Sequence, residues 1–200
     1  MKRIHLAAAM AIATSMVRST PAAYADTITF TTILSGSREV PAVVSAGTGF
    51  ATVVLNTTAN TMFVDVSFNG LTGTTTASHI HCCVAPGGNA GVATQTPTFA
   101  NLPIGVTSGS FTQTLDLTLA SSYNSAFITL EGGTVSGAEA ALIAGMEAGD
   151  SYLNIHTSTS PGGEIRGLLS STPEPNSILL LGSGLLGLVG ARLKLIRKTT

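Results

Sequence analysis

Thr61-Met62-Phe63-Val64-Asp65-Val66-Ser67-Phe68 is the stretch that decides the fold class. Met62, Val64, Val66 and Phe68 fall on one face of an extended chain, while Asp65 and Ser67 point the other way. A period of two marks a strand with one face in a core. Working outward, Thr27 to Leu34 puts Ile28, Phe30 and Leu34 on one face. Phe111 to Leu119 sets Phe111, Leu115, Leu117 and Leu119 against Thr112, Thr114, Asp116 and Thr118. Gly49 to Leu55 is apolar on both faces and reads as a central strand. Shorter strands are expected at Ala77–Cys82, Ala126–Leu130, Tyr152–His156 and Glu164–Leu169. Only Ser136 to Ala148 reads as a helix: Ser136 is placed to cap it, Glu139 to complete a capping box, and Leu142, Ile143 and Met146 to form its apolar face. The expected fold is all-β, an antiparallel Greek-key-like sandwich or barrel of about eight strands with one short helix. The segment 85–108 has no strong period and carries Pro86, Pro97 and Pro103, so a long surface excursion is expected there.

Of the 200 residues, 44% are apolar and 10% charged, against about 25% charged in ordinary globular domains. The net charge of -1 hides a segregation. Between residues 26 and 172 the cations are Arg38 and Arg166, against nine acids. Two cations cannot neutralise a run of phosphates, which excludes nucleic-acid binding by this region.

The two ends read as addresses. Residues 1–25 have a basic start at Lys2 and Arg3, an apolar stretch from Leu6 to Val17, and the small-x-small site Ala23-Tyr24-Ala25. That is a secretory signal peptide with cleavage after Ala25. At the other end Pro173-Glu174-Pro175 precedes the apolar run Ile178 to Ala191 and the basic residues Arg192, Lys194, Arg197 and Lys198. Snorkelling of Arg192 and Lys194 extends the run to Ile196, a marginal transient span of the inner membrane with its basic end cytoplasmic. This three-part arrangement over residues 172–198 resembles the PEP-CTERM sorting signal of Gram-negative bacteria. The resemblance implies recognition by an exosortase, removal of the tail, and a cell-surface or extracellular destination.

The chemistry of the intervening 26–171 domain is concentrated in two segments. Its histidines are His79, His81 and His156. On a strand His79 and His81 project from one face with Ile80 opposite, and Tyr152, Asn154 and His156 share a face opposite Leu153 and Ile155. If the two strands are neighbours, three imidazoles converge on a site suited to copper or zinc, with nearest ring nitrogens about 3–4 Å apart. Glu164 or Cys83 is available as a fourth ligand. The competing reading makes each histidine a hydrogen-bonding brace. Cys82 and Cys83 are the only cysteines. Three readings stand: a vicinal disulfide, intermolecular pairing, or thiolates joining the histidines. In Pro161-Gly162-Gly163-Glu164-Ile165-Arg166-Gly167, Glu164 and Arg166 share a face, to pair with each other or to brace Arg38 and Glu39. The sequence contains no Ser-His-Asp arrangement, phosphate-cradling glycine loop or convincing carboxylate pair.

Ser35-Gly36-Ser37-Arg38-Glu39-Val40-Pro41, Gly47-Thr48-Gly49, Gly70-Leu71-Thr72-Gly73, Ser78-His79-Ile80-His81, Tyr152-Leu153-Asn154-Ile155-His156-Thr157 and the Pro161–Gly167 turn follow one another in order. That ordered set resembles the CHRD domain, first described as a repeat in chordin and also found in bacterial secreted proteins. The resemblance implies a β-sandwich or barrel with an extracellular role. Cys82 and Cys83 stand where the family often has Gly-Pro-Ala. A weaker resemblance, to Cu/Zn superoxide dismutase, rests on His-x-His followed by a later strand histidine. The expectation is a non-enzymatic surface or extracellular-matrix module that meets extracellular polysaccharide or protein. The alternative is a secreted copper- or zinc-binding protein with a superoxide-dismutase-like histidine site.

Overall fold

The computed structural model describes residues 27–172. The expected signal peptide, the Pro173-Glu174-Pro175 motif and the apolar run Ile178 to Ile196 lie outside those residues. Among the described residues, no helix is long and apolar enough to cross a membrane.

The chain forms β1 (Thr27–Ser35), β2 (Thr48–Asn56), β3 (Thr61–Asn69), β4 (Thr75–Cys82), β5 (Gly109–Asp116), α1 (Ser125–Leu130), α2 (Val135–Glu147), β6 (Ser151–Thr157), β7 (Ile165–Leu168) and β8 (Ser170–Ser171). The eight strands make one curled antiparallel sheet in the order β4-β6-β7-β1-β2-β3-β5, with β8 beside β1. The expected all-β class is what the molecule adopts. β1 and β2 are joined by the long 36–47 connection and β2 and β3 by a short turn, and the three strands pair along their whole lengths. The chain then crosses to the far edge of the sheet as β4, which β6 pairs from Thr75 to Cys82.

Strand alternation sets the core. Phe30 and Leu34 of β1, Ala51, Val53 and Leu55 of β2, Met62, Val64, Val66 and Phe68 of β3, and Phe111 and Leu115 of β5 are buried together. β2 lies inside the sheet, but its faces are unequal, because Phe50 on the other side is 47% exposed. Ile80, Leu153, Ile155 and Ile165 continue the core into β4, β6 and β7. These last strands are buried on their second face too, where Tyr152, Asn154 and Arg166 sit.

Four local expectations need correction. Ala126–Leu130 belongs to a helix rather than a strand. Its β-branched residues favoured extension, but the Asn124 side chain accepts the Ala126 amide and caps a helical turn that buries Phe127. The cap of α2 is Thr134, whose side chain accepts the Gly137 amide; Ser136 already lies inside the helix. Glu139 therefore sits too far along to close a capping box. β5 ends at Asp116, and the Asp116 carboxylate accepts from the Thr118 amide and hydroxyl. That turn leaves Leu119 51% exposed, off the buried face expected for it. The 85–108 segment is a strap: it forms bridges His81–Val92 and Thr94–Tyr123 and buries Ala93, Phe99 and Leu102. Phe99 packs against Phe111 with ring centroids 5.8 Å apart, so the strap reaches from the β4 edge to β5.

Candidate metal centre

The β4–β6 register places His79 opposite Asn154, Ala77 opposite His156 and His81 opposite Tyr152. All three imidazoles therefore stand on the second face of this pair. Their ring centroids are 5.3 Å apart for His79–His156, 5.7 Å for His81–His156 and 5.9 Å for His79–His81. One ring nitrogen from each lies within 4.8 Å of the others. That is wider than the ~3–4 Å of a loaded site, so an ion would have to draw the rings together.

Loops hold each ring by its outer nitrogen. His79 Nε2 meets the Pro97 carbonyl at 2.7 Å, His81 Nδ1 the Ala90 carbonyl at 2.9 Å, and His156 Nδ1 the Pro161 carbonyl at 2.9 Å. A carbonyl only accepts, so each of these nitrogens carries the proton and donates it. The opposite nitrogen of each neutral ring then presents a lone pair. His79 Nδ1, His81 Nε2 and His156 Nε2 are buried and have no hydrogen-bond partner. Burial depresses all three imidazoles below their ordinary value, His81 to about 4, which favours the neutral form. Buried polar atoms are normally satisfied, and these three imidazole nitrogens, without a protein partner, are lone-pair donors that could hold a metal ion. Backbone carbonyls fixing the tautomer are the usual outer support of metal-binding histidines.

The CHRD domain family matches residues 30–169. The chain belongs to the CHRD-domain family. The PEP-CTERM protein-sorting motif matches residues 171–197, so this CHRD protein carries the signal for export and for processing by an exosortase-type enzyme. No curated protein and no solved structure matches the chain.

Around the histidines the CHRD domain builds a polar layer. His81 stacks on Tyr152 with centroids 4.8 Å apart and planes 4° apart, and the Arg166 guanidinium lies 4.5 Å from the centroid of the Tyr152 ring. The Tyr152 hydroxyl accepts the Ala90 amide at 3.1 Å, anchoring the residue whose carbonyl holds His81. Arg166 donates to the Arg38 carbonyl through Nε and to Asn89 Oδ1 at 2.8 Å through Nη1. Its Nε stands 3.9 Å from the Glu39 carboxylate. Of the two pairings expected for Arg166, the one with Glu39 and Arg38 forms and the one with Glu164 does not.

Glu164 serves elsewhere. Its carboxylate accepts from Ser45 Oγ and Thr157 Oγ1, both at 2.6 Å, and from the Thr72 and Gly73 amides. It is not a fourth ligand. Cys82 and Cys83 form a vicinal disulfide, so neither supplies a thiolate, and the two other cysteine readings fall. Sequence reasoning missed Asn154 as a member of the site's wall. It lies opposite His79 and two residues before His156, its Nδ2 faces Glu39 at 3.5 Å, and its Oδ1 is buried without a partner. The alternation Tyr152-Asn154-His156 was the available signal. Gly163 leaves the room: a Cβ there would collide with the Asn154 amide, and the residue adopts a φ of +129°.

Proposed function

We propose that this exported CHRD protein is a non-enzymatic surface or extracellular-matrix module whose CHRD domain holds a copper or zinc ion on His79, His81 and His156. The observation carrying this reading is the set of three buried, unpartnered imidazole nitrogens, each belonging to a ring oriented by a backbone carbonyl on its far side. Three braces would have used their second nitrogens or left them to water; these rings turn them toward one another. The nitrogens are shut off from solvent, which suits retaining an ion better than turning over a substrate. The PEP-CTERM signal supports delivery to the outside, where the module would contact polysaccharide or other surface proteins.

Metal analysis of the full chain purified in mild detergent tests the site. The expected result is one copper or zinc per chain, with affinity weakened at least about 10-fold in His79→Ala, since losing a ligand costs no less than losing an outer partner that orients one. A wild-type protein that emerges from equilibration with either ion metal-free would refute it.

A further inference from the structure

We infer that the ion this centre selects is monovalent copper, held by three neutral imidazoles with no protein anion beside it. The inference rests on the reading above that the histidines hold a metal.

The donor set is the first ground. Among the described residues, the candidate group contains His79, His81 and His156 and no Asp, Glu or Cys. The nearest soft donors are joined as the Cys82–Cys83 disulfide, and Glu164 is occupied by Ser45, Thr72, Gly73 and Thr157. An ion here keeps its whole charge. The cost of burying a charge rises as its square, so a divalent ion is about four times as expensive to desolvate as a monovalent one.

The surroundings sharpen that difference. His79 and His81 are 6% and 8% exposed, and the three free nitrogens are shut off from solvent. The neighbouring fixed charge felt by His81 is the cation Arg166. Glu39 borders this layer, but its contacts are with Asn154 and Arg166 and not with a ring. A second positive charge on the ion would therefore be buried near a guanidinium, with no carboxylate among its ligands to offset it.

Coordination number points the same way. Zinc takes four ligands, the fourth being water where the protein supplies three, and divalent copper prefers a tetragonal arrangement. Both need donors that this closed face does not offer. A closed-shell monovalent copper ion is satisfied by three nitrogens in a plane.

The test uses the full chain in mild detergent, with ascorbate under anaerobic conditions to hold copper monovalent while leaving the disulfide intact. Copper(I) is delivered from a chromophoric chelator, and zinc(II) is followed with a zinc indicator. The expected result is one copper(I) per chain, retained against about 100-fold excess zinc(II), a preference near 2.7 kcal/mol, and lost in His79→Ala. Asn154→Asp, made in a Glu39→Gln background so that no second carboxyl shares its proton, places an anion next to the rings with almost no change of shape. It should move the copper(I)-to-zinc(II) affinity ratio toward zinc by about 10-fold or more, the effect of one nearby opposite charge. Zinc(II) that copper(I) cannot displace would overturn the selection and leave the metal-site reading standing. An unchanged ratio in Asn154→Asp would overturn the charge argument. Failure to bind either ion would instead remove the metal-site reading itself.

Discussion

Glu164 and Glu39 show how one residue type takes opposite roles in the same domain. Burial pushes the Glu164 carboxyl up, but hydrogen bonds from Ser45, Thr157, Thr72 and Gly73 outweigh it and hold it at about 2, below its ordinary 4.5. Its stabilising contribution is therefore present above pH ~4.5 and is lost as the pH falls toward ~2. Glu164→Gln turns an NH2 group toward two of the four donors. It should cost about 2–3 kcal/mol at pH 7, measured by chemical denaturation, and the variant should lack that acid limb. Glu39 behaves in reverse. Burial raises it to about 7; Arg166 and Asn154 oppose the rise without cancelling it, since Arg166 is already engaged by Arg38 and Asn89. A carboxyl raised in the folded state contributes stability that is full below pH ~4.5 and is lost as the pH rises through ~7. Glu39→Gln mimics the protonated form at every pH. The stability of wild type minus that of Glu39→Gln should fall between pH 4.5 and 7; a difference that stays flat would show that Glu39 titrates normally.

Among the elements, α1 and α2 are where local signals misled. Ser125–Leu130 has the composition of a strand, yet Asn124 caps it and the Gly133 amide returns to the Ile128 carbonyl at 2.8 Å. The helix is closed at both ends by its flanks rather than by its own propensity. For α2 the two candidate caps can be separated experimentally. Thr134→Ala should lower stability by about 1 kcal/mol, while Ser136→Ala should change it by a few tenths at most. Equal losses would mean the cap is shared. α2 docks through Gly145, where an added Cβ would collide with both sulfur atoms of the Cys82–Cys83 disulfide. Gly145→Ala should therefore destabilise by about 1–3 kcal/mol despite alanine's better helix propensity. A stabilised variant would show that the helix can shift off the disulfide.

At the scale of the molecule, the curled sheet divides its work. β1, β2, β3 and β5 bury one face in the core, while β4, β6 and β7 bury both, one against the core and one under the loops that carry Ala90, Pro97 and Pro161. Two of those carbonyls come from the 85–108 strap and the third from the β6–β7 loop, remote from it in sequence, so the histidine cluster joins segments that the sheet leaves independent. An ion bound only by the folded state adds stability by mass action, about 2.7 kcal/mol at 100 times its dissociation constant. Saturating metal should raise the unfolding midpoint of the full chain by several degrees and leave His156→Ala unmoved. An equal rise in both would place the ion elsewhere. Sorting is separable from all of this. Replacing Pro173, Glu174 and Pro175 by alanine should leave uncleaved protein in the inner membrane, as read by its size on immunoblots, while metal content per folded domain stays the same.

The sequence by itself determined the class of fold, because a period of two needs no tertiary information to assign faces. It also determined that His79 and His81 share a side, that Tyr152, Asn154 and His156 share theirs, and that the tail carries a sorting signal. Only the tertiary structure decided that β6 pairs β4, since antiparallel partners six dozen residues apart leave no local trace. It decided the pairing of Arg166 with Glu39 and the four-donor setting of Glu164, both made by loops remote in sequence. It also decided that Ala126–Leu130 coils, because a capping side chain and the burial of Phe127 outweigh a propensity worth tenths of a kcal/mol per residue. The direction of each imidazole's lone pair was equally beyond the sequence, for it depends on which loop carbonyl happens to take the other nitrogen's proton.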